Sequence, residues 1–200
     1  MAVVGASFTA GVGSVPDRSW AILLARHLRW DAVVYGVPGA GYVRTGAGPG
    51  GLIAAEVARM GLYALAPSLV IVQAGHDDIG GPPALEQQRV AQVVTMIRAE
   101  APTARIVLLT VFAGRSPTAA AYGTDRAIVT AARAADRAVS IIDPLTGKWS
   151  FPRVRDGLHP TAAGSAWIAG QVAAILRDHG VRPVPPSVRP GRHPIVCDGA

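Results

Sequence analysis

Two hydrophobic rhythms alternate along this chain. Short, largely apolar runs occur at Met1–Gly5, Ala32–Tyr35, Ser68–Gln73, Arg105–Val111 and Ala138–Ile142. Between them, apolar residues recur three and four positions apart. Trp20, Leu24 and Leu28 form such a stripe within Asp17–Leu28, and Ile53, Val57 and Met60 within Leu52–Leu65. Val90, Val93, Val94 and Ile97 do so within Ala84–Ala99. The first rhythm predicts strands and the second helices that bury one face. The Ala-rich stretch Ala121–Ala135 is read as a further helix. Pro160 opens the last one, which runs to Asp178 with Ile168, Val172, Ile175 and Leu176 on its apolar side. Proline in a first helical turn costs no backbone bond.

The strand runs are continuously apolar, which is the pattern of strands covered on both faces. Five such strands alternating with five helices predict a three-layer α/β domain around a parallel sheet. In that architecture ligands bind beyond the carboxyl ends of the strands, so chemistry is sought in the loops that follow them. The body spans residues 1–180. The stretch 181–200 holds Pro183, Pro185, Pro186, Pro190 and Pro194 and is read as an extended tail without regular elements, loose or wrapped over the body.

Composition narrows the picture. The 200 residues are 50% hydrophobic and 16% charged, enough for one globular core and too apolar for wholesale disorder. The net charge is +6, carried mainly by arginine. No run of five basic residues and no interleaved aromatics accompany it, so nucleic acid is not an expected partner, whereas a phosphate-bearing or acidic substrate is compatible with the charge. A single cysteine, Cys197, excludes an internal disulfide and a cysteine metal cluster. No stretch is long and apolar enough to span a bilayer, and no secretory leader is visible, so a cytoplasmic location is expected by default.

Four loops carry candidate chemistry. Gly5-Ala6-Ser7-Phe8-Thr9-Ala10-Gly11 follows the first strand and places Ser7 at a strand-to-loop junction, where a nucleophilic serine has a backbone N–H available for an oxyanion. Such a serine also serves as a helix cap or a phosphate ligand. Asp156-Gly157-Leu158-His159-Pro160 precedes the last helix, and its spacing with an intervening glycine lets one turn fold Asp156 back on the His159 imidazole. Taken alone, it is also an ordinary turn and cap. Val37-Pro38-Gly39-Ala40 follows the second strand and can expose a glycine N–H. Gly75-His76-Asp77-Asp78 follows the third; three clustered donors are too few to imply a metal.

Together, in this order, the four blocks resemble the SGNH (GDSL-type) hydrolase family over about residues 2–178. The resemblance implies a flavodoxin-like, five-stranded α/β/α fold and a serine esterase or lipase-like activity. Ser7 stands in the nucleophile's place, Asp156 and His159 complete a triad, and the oxyanion donors are the N–H groups of Ser7 and Gly39 with the side chain at Asp77. The family's Gly-Asp-Ser reads Gly-Ala-Ser here, and its Gly-x-Asn-Asp has Asp77 in place of asparagine. An ionised Asp77 accepts hydrogen bonds only. It would therefore repel an oxyanion, unless it is protonated or the loop supplies other donors. Phe8, Tyr42, His76, Trp149 and Phe151 are the candidate lining of the acyl pocket. The expected substrate is a small acyl ester or an acylated carbohydrate, with no metal and no organic cofactor. Two other readings fit the same residues: acyl transfer from acyl-coenzyme A or an ester to a sugar hydroxyl, and a weakened, binding-only relative. A nucleotide-binding fold does not fit, because the glycines after the first strand lack the dinucleotide spacing and no Walker lysine follows.

Overall fold

The computed structural model describes residues 1–47 and 51–183, and the backbone of 195–198. Strands β1 (Ala2–Gly5), β2 (Val33–Gly36), β3 (Leu69–Gln73), β4 (Arg105–Leu109), β5 (Ser140–Ile142) and β6 (Ile195–Asp198) form one sheet in the order β5-β4-β3-β1-β2-β6. Every pairing is parallel. β1 and β3 are buried at every position, which is why their sequences do not alternate. The helices are α1 (Ser7–Ala10), α2 (Trp20–Leu28), α3 (Ile53–Met60), α4 (Leu62–Leu65), α5 (Pro83–Glu100), α6 (Ala119–Ala135) and α7 (Ala162–Asp178).

Two apolar clusters flank the sheet. One joins Val4, Val70, Val72, Ile106 and Leu108 to α3, α5 and α6. The other joins Val3, Val34, Ile71, Val107 and Leu109 to α2 and α7. Each strand therefore feeds alternate side chains to opposite cores. The chain runs from β1 to β2 on one side and returns to β3 on the other, so the sheet reverses direction beside β1. A crevice opens at such a reversal, at the carboxyl ends of β1 and β3.

Several elements differ from the expectations. The block after β1 is not a plain loop: Ser7–Ala10 closes one helical turn, ended by Gly11 at φ 85°. Helix Leu52–Leu65 is broken in two by Gly61, whose φ of 63° no right-handed helix contains. Asp17–Leu28 is a short 3₁₀ turn, Pro16–Arg18, followed by α2. The last helix begins later than Pro160: Thr161 is its N-cap and accepts a bond from the Gly164 N–H at 3.2 Å. The described parts of the tail lie against the body. Val181 is buried, and the carbonyl of Arg182 accepts from the Trp30 indole at 3.1 Å. Beyond Pro194 the backbone regains its N–H groups, and Ile195–Asp198 pairs with β2 as a sixth strand. Pro183 is exposed, and Pro185, Pro186, Pro190 and Pro194 lie outside the described residues.

Candidate functional site

The turn that carries Ser7 is held from below. The Ala6 N–H donates to the Gln73 carbonyl at 3.1 Å, and the Ala6 carbonyl accepts from Thr9 and Ala10 at 3.0 Å. Thr9 Oγ1 bonds Gln73 Oε1 at 2.9 Å within the buried interior. These contacts anchor the turn without a side-chain cap at Ala6. A Cβ on Gly5 would run into Thr9 Oγ1 and lie 2.6 Å from the Gln73 carbonyl, so glycine is required there for the turn to close over β3.

Asp156, Gly157, Leu158 and His159 form a tight turn. Asp156 Oδ1 accepts the N–H groups of Leu158 (2.8 Å) and His159 (2.9 Å), with Gly157 at φ 74°. The other oxygen, Oδ2, lies 2.6 Å from His159 Nδ1. His159 Nε2 lies 2.9 Å from Ser7 Oγ. With Nδ1 protonated toward the carboxylate, Nε2 is left to accept the serine proton. The bond to His159, seconded by the Leu158 N–H, holds the Asp156 carboxyl at about 2, so it stays ionised at any ordinary pH.

Gly13 and Phe112, which sequence reasoning did not single out, complete this geometry together with Phe8. A Cβ on Gly13 would lie 2.6 Å from the Pro160 carbonyl and 2.9 Å from His159 Cβ, so the loop after α1 can back the imidazole only as glycine. Beneath the ring, Phe8 lies 5.5 Å from His159 and stacks on Phe112 at 4.4 Å. Phe112 is far along the chain in a loop with no motif, and nothing local marks it.

The expected oxyanion donors lie on separate loops. Among the described residues, neither the Ser7 nor the Gly39 N–H donates to a backbone carbonyl, and Gly39 has φ 80°. The loop that carries Gly39 is tied down by Asp78, whose buried carboxylate accepts the N–H groups of Tyr42 (2.7 Å), Val43 and Arg44 (both 2.9 Å). A Cβ on Gly41 would collide with that carboxylate. Asp77 faces the same space, near enough to His159 to feel its charge. Its Oδ2 is buried without a hydrogen-bond partner, and burial pushes its pKa up, against the pull of His76 and His159. His76 turns away and bonds the Phe112 carbonyl through Nδ1 at 2.8 Å. The three donors of this block thus point to three different places.

The expected pocket lining divides. Trp149 and Phe151 line a cavity of about 740 Å³. Phe8 and Tyr42 are not in its lining: each is 1% exposed and packs in the core, Phe8 under His159 and Tyr42 against the α3–α5 side. Burial, then the charges of Asp78 and Glu86, drives the Tyr42 pKa upward. Aromatic residues near a site are drawn into the core as readily as into a pocket, because burying the ring is favourable either way.

Comparison with known proteins follows from this arrangement. No curated protein matches the chain. Among solved structures it is similar to a family two carbohydrate esterase from Clostridium thermocellum in complex with cellohexaose, with a TM-score of 0.68 and 17% identity over 89% of this chain and 63% of that one. A family two carbohydrate esterase from Cellvibrio japonicus gives 0.71 and 18%, over 88% of this chain and 60% of that one. TesA gives 0.69 and 24%, over 88% of this chain and 97% of that one. The chain thus spans less than two thirds of those carbohydrate esterases and nearly all of TesA; these likenesses show the fold. A model of the GDSL-like Lipase/Acylhydrolase family matches residues 3–167, and by that match over most of its length this chain belongs to the GDSL-like lipase/acylhydrolase family.

Proposed function

We propose that the chain hydrolyses small acyl esters through an acyl-enzyme on Ser7. The observation that carries this is the position of His159, 2.9 Å from Ser7 Oγ on one side and 2.6 Å from Asp156 on the other. His159 takes the Ser7 proton as Oγ adds to the ester carbonyl. Asp156 fixes the imidazole's tautomer and stabilises its charged form. The N–H groups of Ser7 and Gly39 bind the oxyanion. Collapse of the tetrahedral species expels the alcohol, which His159 protonates, and leaves the acyl group on Ser7. Water, deprotonated by His159, then releases the acid.

Asp77 joins the oxyanion hole as a neutral acid. Its buried, unpartnered Oδ2 and its raised pKa support protonation, and a protonated carboxyl donates the hydrogen bond that an asparagine amide would supply. Acetylated carbohydrates are the favoured substrates, since the structural neighbours include carbohydrate esterases and an acetyl xylan esterase from Butyrivibrio proteoclasticus. Hydrolysis of p-nitrophenyl esters from acetate to dodecanoate tests the reading. Turnover should be highest at short chains and fall by about 10³-fold or more in Ser7→Ala; equal turnover in the variant would exclude Ser7 as nucleophile.

A further inference from the structure

The cavity of about 740 Å³ lies at the carboxyl edge of β4 and β5, beside the serine site. It is large enough for a sugar-sized group. Its walls come from the loop after β4, the start of α6 and the loop between β5 and the Asp156 turn. The two sites share structure: Phe112 lines the cavity and also supports the ring stack under His159. Arg153 lines it as well, and bridges to Pro160 next to His159. Neither Ser7 nor His159 is part of the lining, so whatever fills the cavity is a portion of the substrate remote from the scissile bond.

The charge of this cavity is one-sided. Arg115, Lys148 and Arg153 all line it, and no carboxylate does. Among the described residues, none of the three forms an ion pair; the pairs present are Arg98 with Asp136 and His159 with Asp156. Nearby acids are committed elsewhere. Asp143 accepts from the Thr146 N–H and hydroxyl, and Asp156 serves His159 and its own turn. Arg153 is held with its guanidinium 4.0 Å over the Phe151 ring, and its Nε is buried with no hydrogen-bond partner. Burial, and after it the charge of Arg115, lowers the Arg153 pKa. Lys148 stands at φ 52°, a backbone region unfavourable to any residue with a Cβ, so the turn that presents it is not its relaxed choice. Arg115 and Arg153 stand close enough for their charges to repel, Lys148 adds a third like charge to the same aromatic-walled hollow, and an anion placed among them offsets that repulsion.

Resting on the ester-hydrolase reading above, we infer that this cavity is an anion subsite, which takes a phosphate or carboxylate group on the far side of the substrate and so selects anionic acyl esters over neutral ones. Guanidinium groups suit both anions, since their planar forks pair with two oxygens at once.

Three esters that differ only in remote charge test this: O-acetylglucose, O-acetylglucuronate and O-acetylglucose 6-phosphate, acetylated at the same hydroxyl. The readout is kcat/KM for each anionic ester divided by that for the neutral one. The parent should show a ratio of about ten or more for at least one anion, as expected for charge-assisted bonds. Which of the two carries it separates carboxylate from phosphate. The ratio should fall toward one in Arg115→Gln/Lys148→Gln and persist in the charge-keeping Arg115→Lys/Lys148→Arg. A ratio near one in the parent, or one untouched by the glutamine pair, overturns the subsite. A binding measurement is independent of turnover: Ser7→Ala protein titrated with inorganic phosphate at low salt should bind it, and the glutamine pair on the same background should not. Absent or unaltered binding also counts against the subsite. Phosphate binding with all three esters inert would defeat the hydrolase reading alone, while Ser7-dependent turnover with a ratio of one would defeat the subsite alone.

Discussion

Buried acids dominate the chemistry of single residues in this protein. Asp77, half-buried with one oxygen fully covered, is the one beside His159. Burial favours its neutral form; in the proposed mechanism that form donates a hydrogen bond to the oxyanion, and raising the pH through its pKa removes the donor. The parent's kcat/KM should therefore fall as the pH rises through that pKa, while Asp77→Asn keeps its rate there and exceeds the parent. The gap should approach the 10²- to 10³-fold associated with one oxyanion donor, to order of magnitude. Superimposable pH profiles would assign Asp77 another role. Glu86 is a second case, away from the reaction. Burial first, then Asp78 and Asp125, pushes it to about 8, and both its oxygens lack partners. Between the ordinary glutamate value of 4.5 and about 8, the folded protein holds a proton there that the unfolded chain has released. Stability from this group is thus full below 4.5 and declines as pH rises toward 8. Glu86→Gln, which needs no proton, should raise the melting temperature at pH 8 and change it little at pH 5, as thermal denaturation at the two values will show. The Ser7, Asp156 and His159 blocks were legible in the sequence because each carries its bonding partner within a few residues or lies at a strand end. The protonation of Asp77 was left open there, since it depends on how much protein covers the carboxyl.

At the scale of elements, the site depends on loops that fit together without spare volume. The turn after α1 passes behind His159 at Gly13, where φ is 87° and a Cβ would meet the Pro160 carbonyl. Gly13→Ala should push the imidazole away from Ser7 Oγ and lower kcat by roughly 10²-fold, the scale of an ångström-level misplacement. The fold should survive, which circular dichroism checks alongside the kinetics. The long apolar stripes predicted their helices well, with α5 and α6 within two residues of their expected ends. Periodicity failed where backbone conformation overrode it. The stripe through Ile53, Val57 and Met60 continues past Gly61, yet the left-handed glycine breaks the helix there. The one-turn helix at Ser7 is too short to have a periodicity at all. It exists because Ala6 is bonded to β3 and its carbonyl then accepts two N–H groups.

For the molecule as a whole, the reversal of strand order beside β1 brings Ser7, Asp77 and the Asp156 turn to one end of the sheet. The far side of the sheet ends in β6, which covers the edge of β2. A chain shortened to end at Pro183 should keep its triad geometry and its fold, but would present β2 as an open parallel edge. Size-exclusion chromatography across a concentration series should show it associating where the full chain does not; identical elution would mean that β6 contributes nothing to edge protection. By itself, the sequence determined the layered α/β class, the five strands β1 to β5 and the blocks that hold Ser7, Asp156 and His159, because hydrophobic rhythm and short turns are local properties. Tertiary structure alone decided that Phe8 and Tyr42 belong to the core, that Asp78 braces the Gly39 loop, and that Arg115, Lys148 and Arg153 surround one cavity. Those facts rest on contacts between segments distant in the chain, where packing and burial, rather than local pattern, set what each side chain touches.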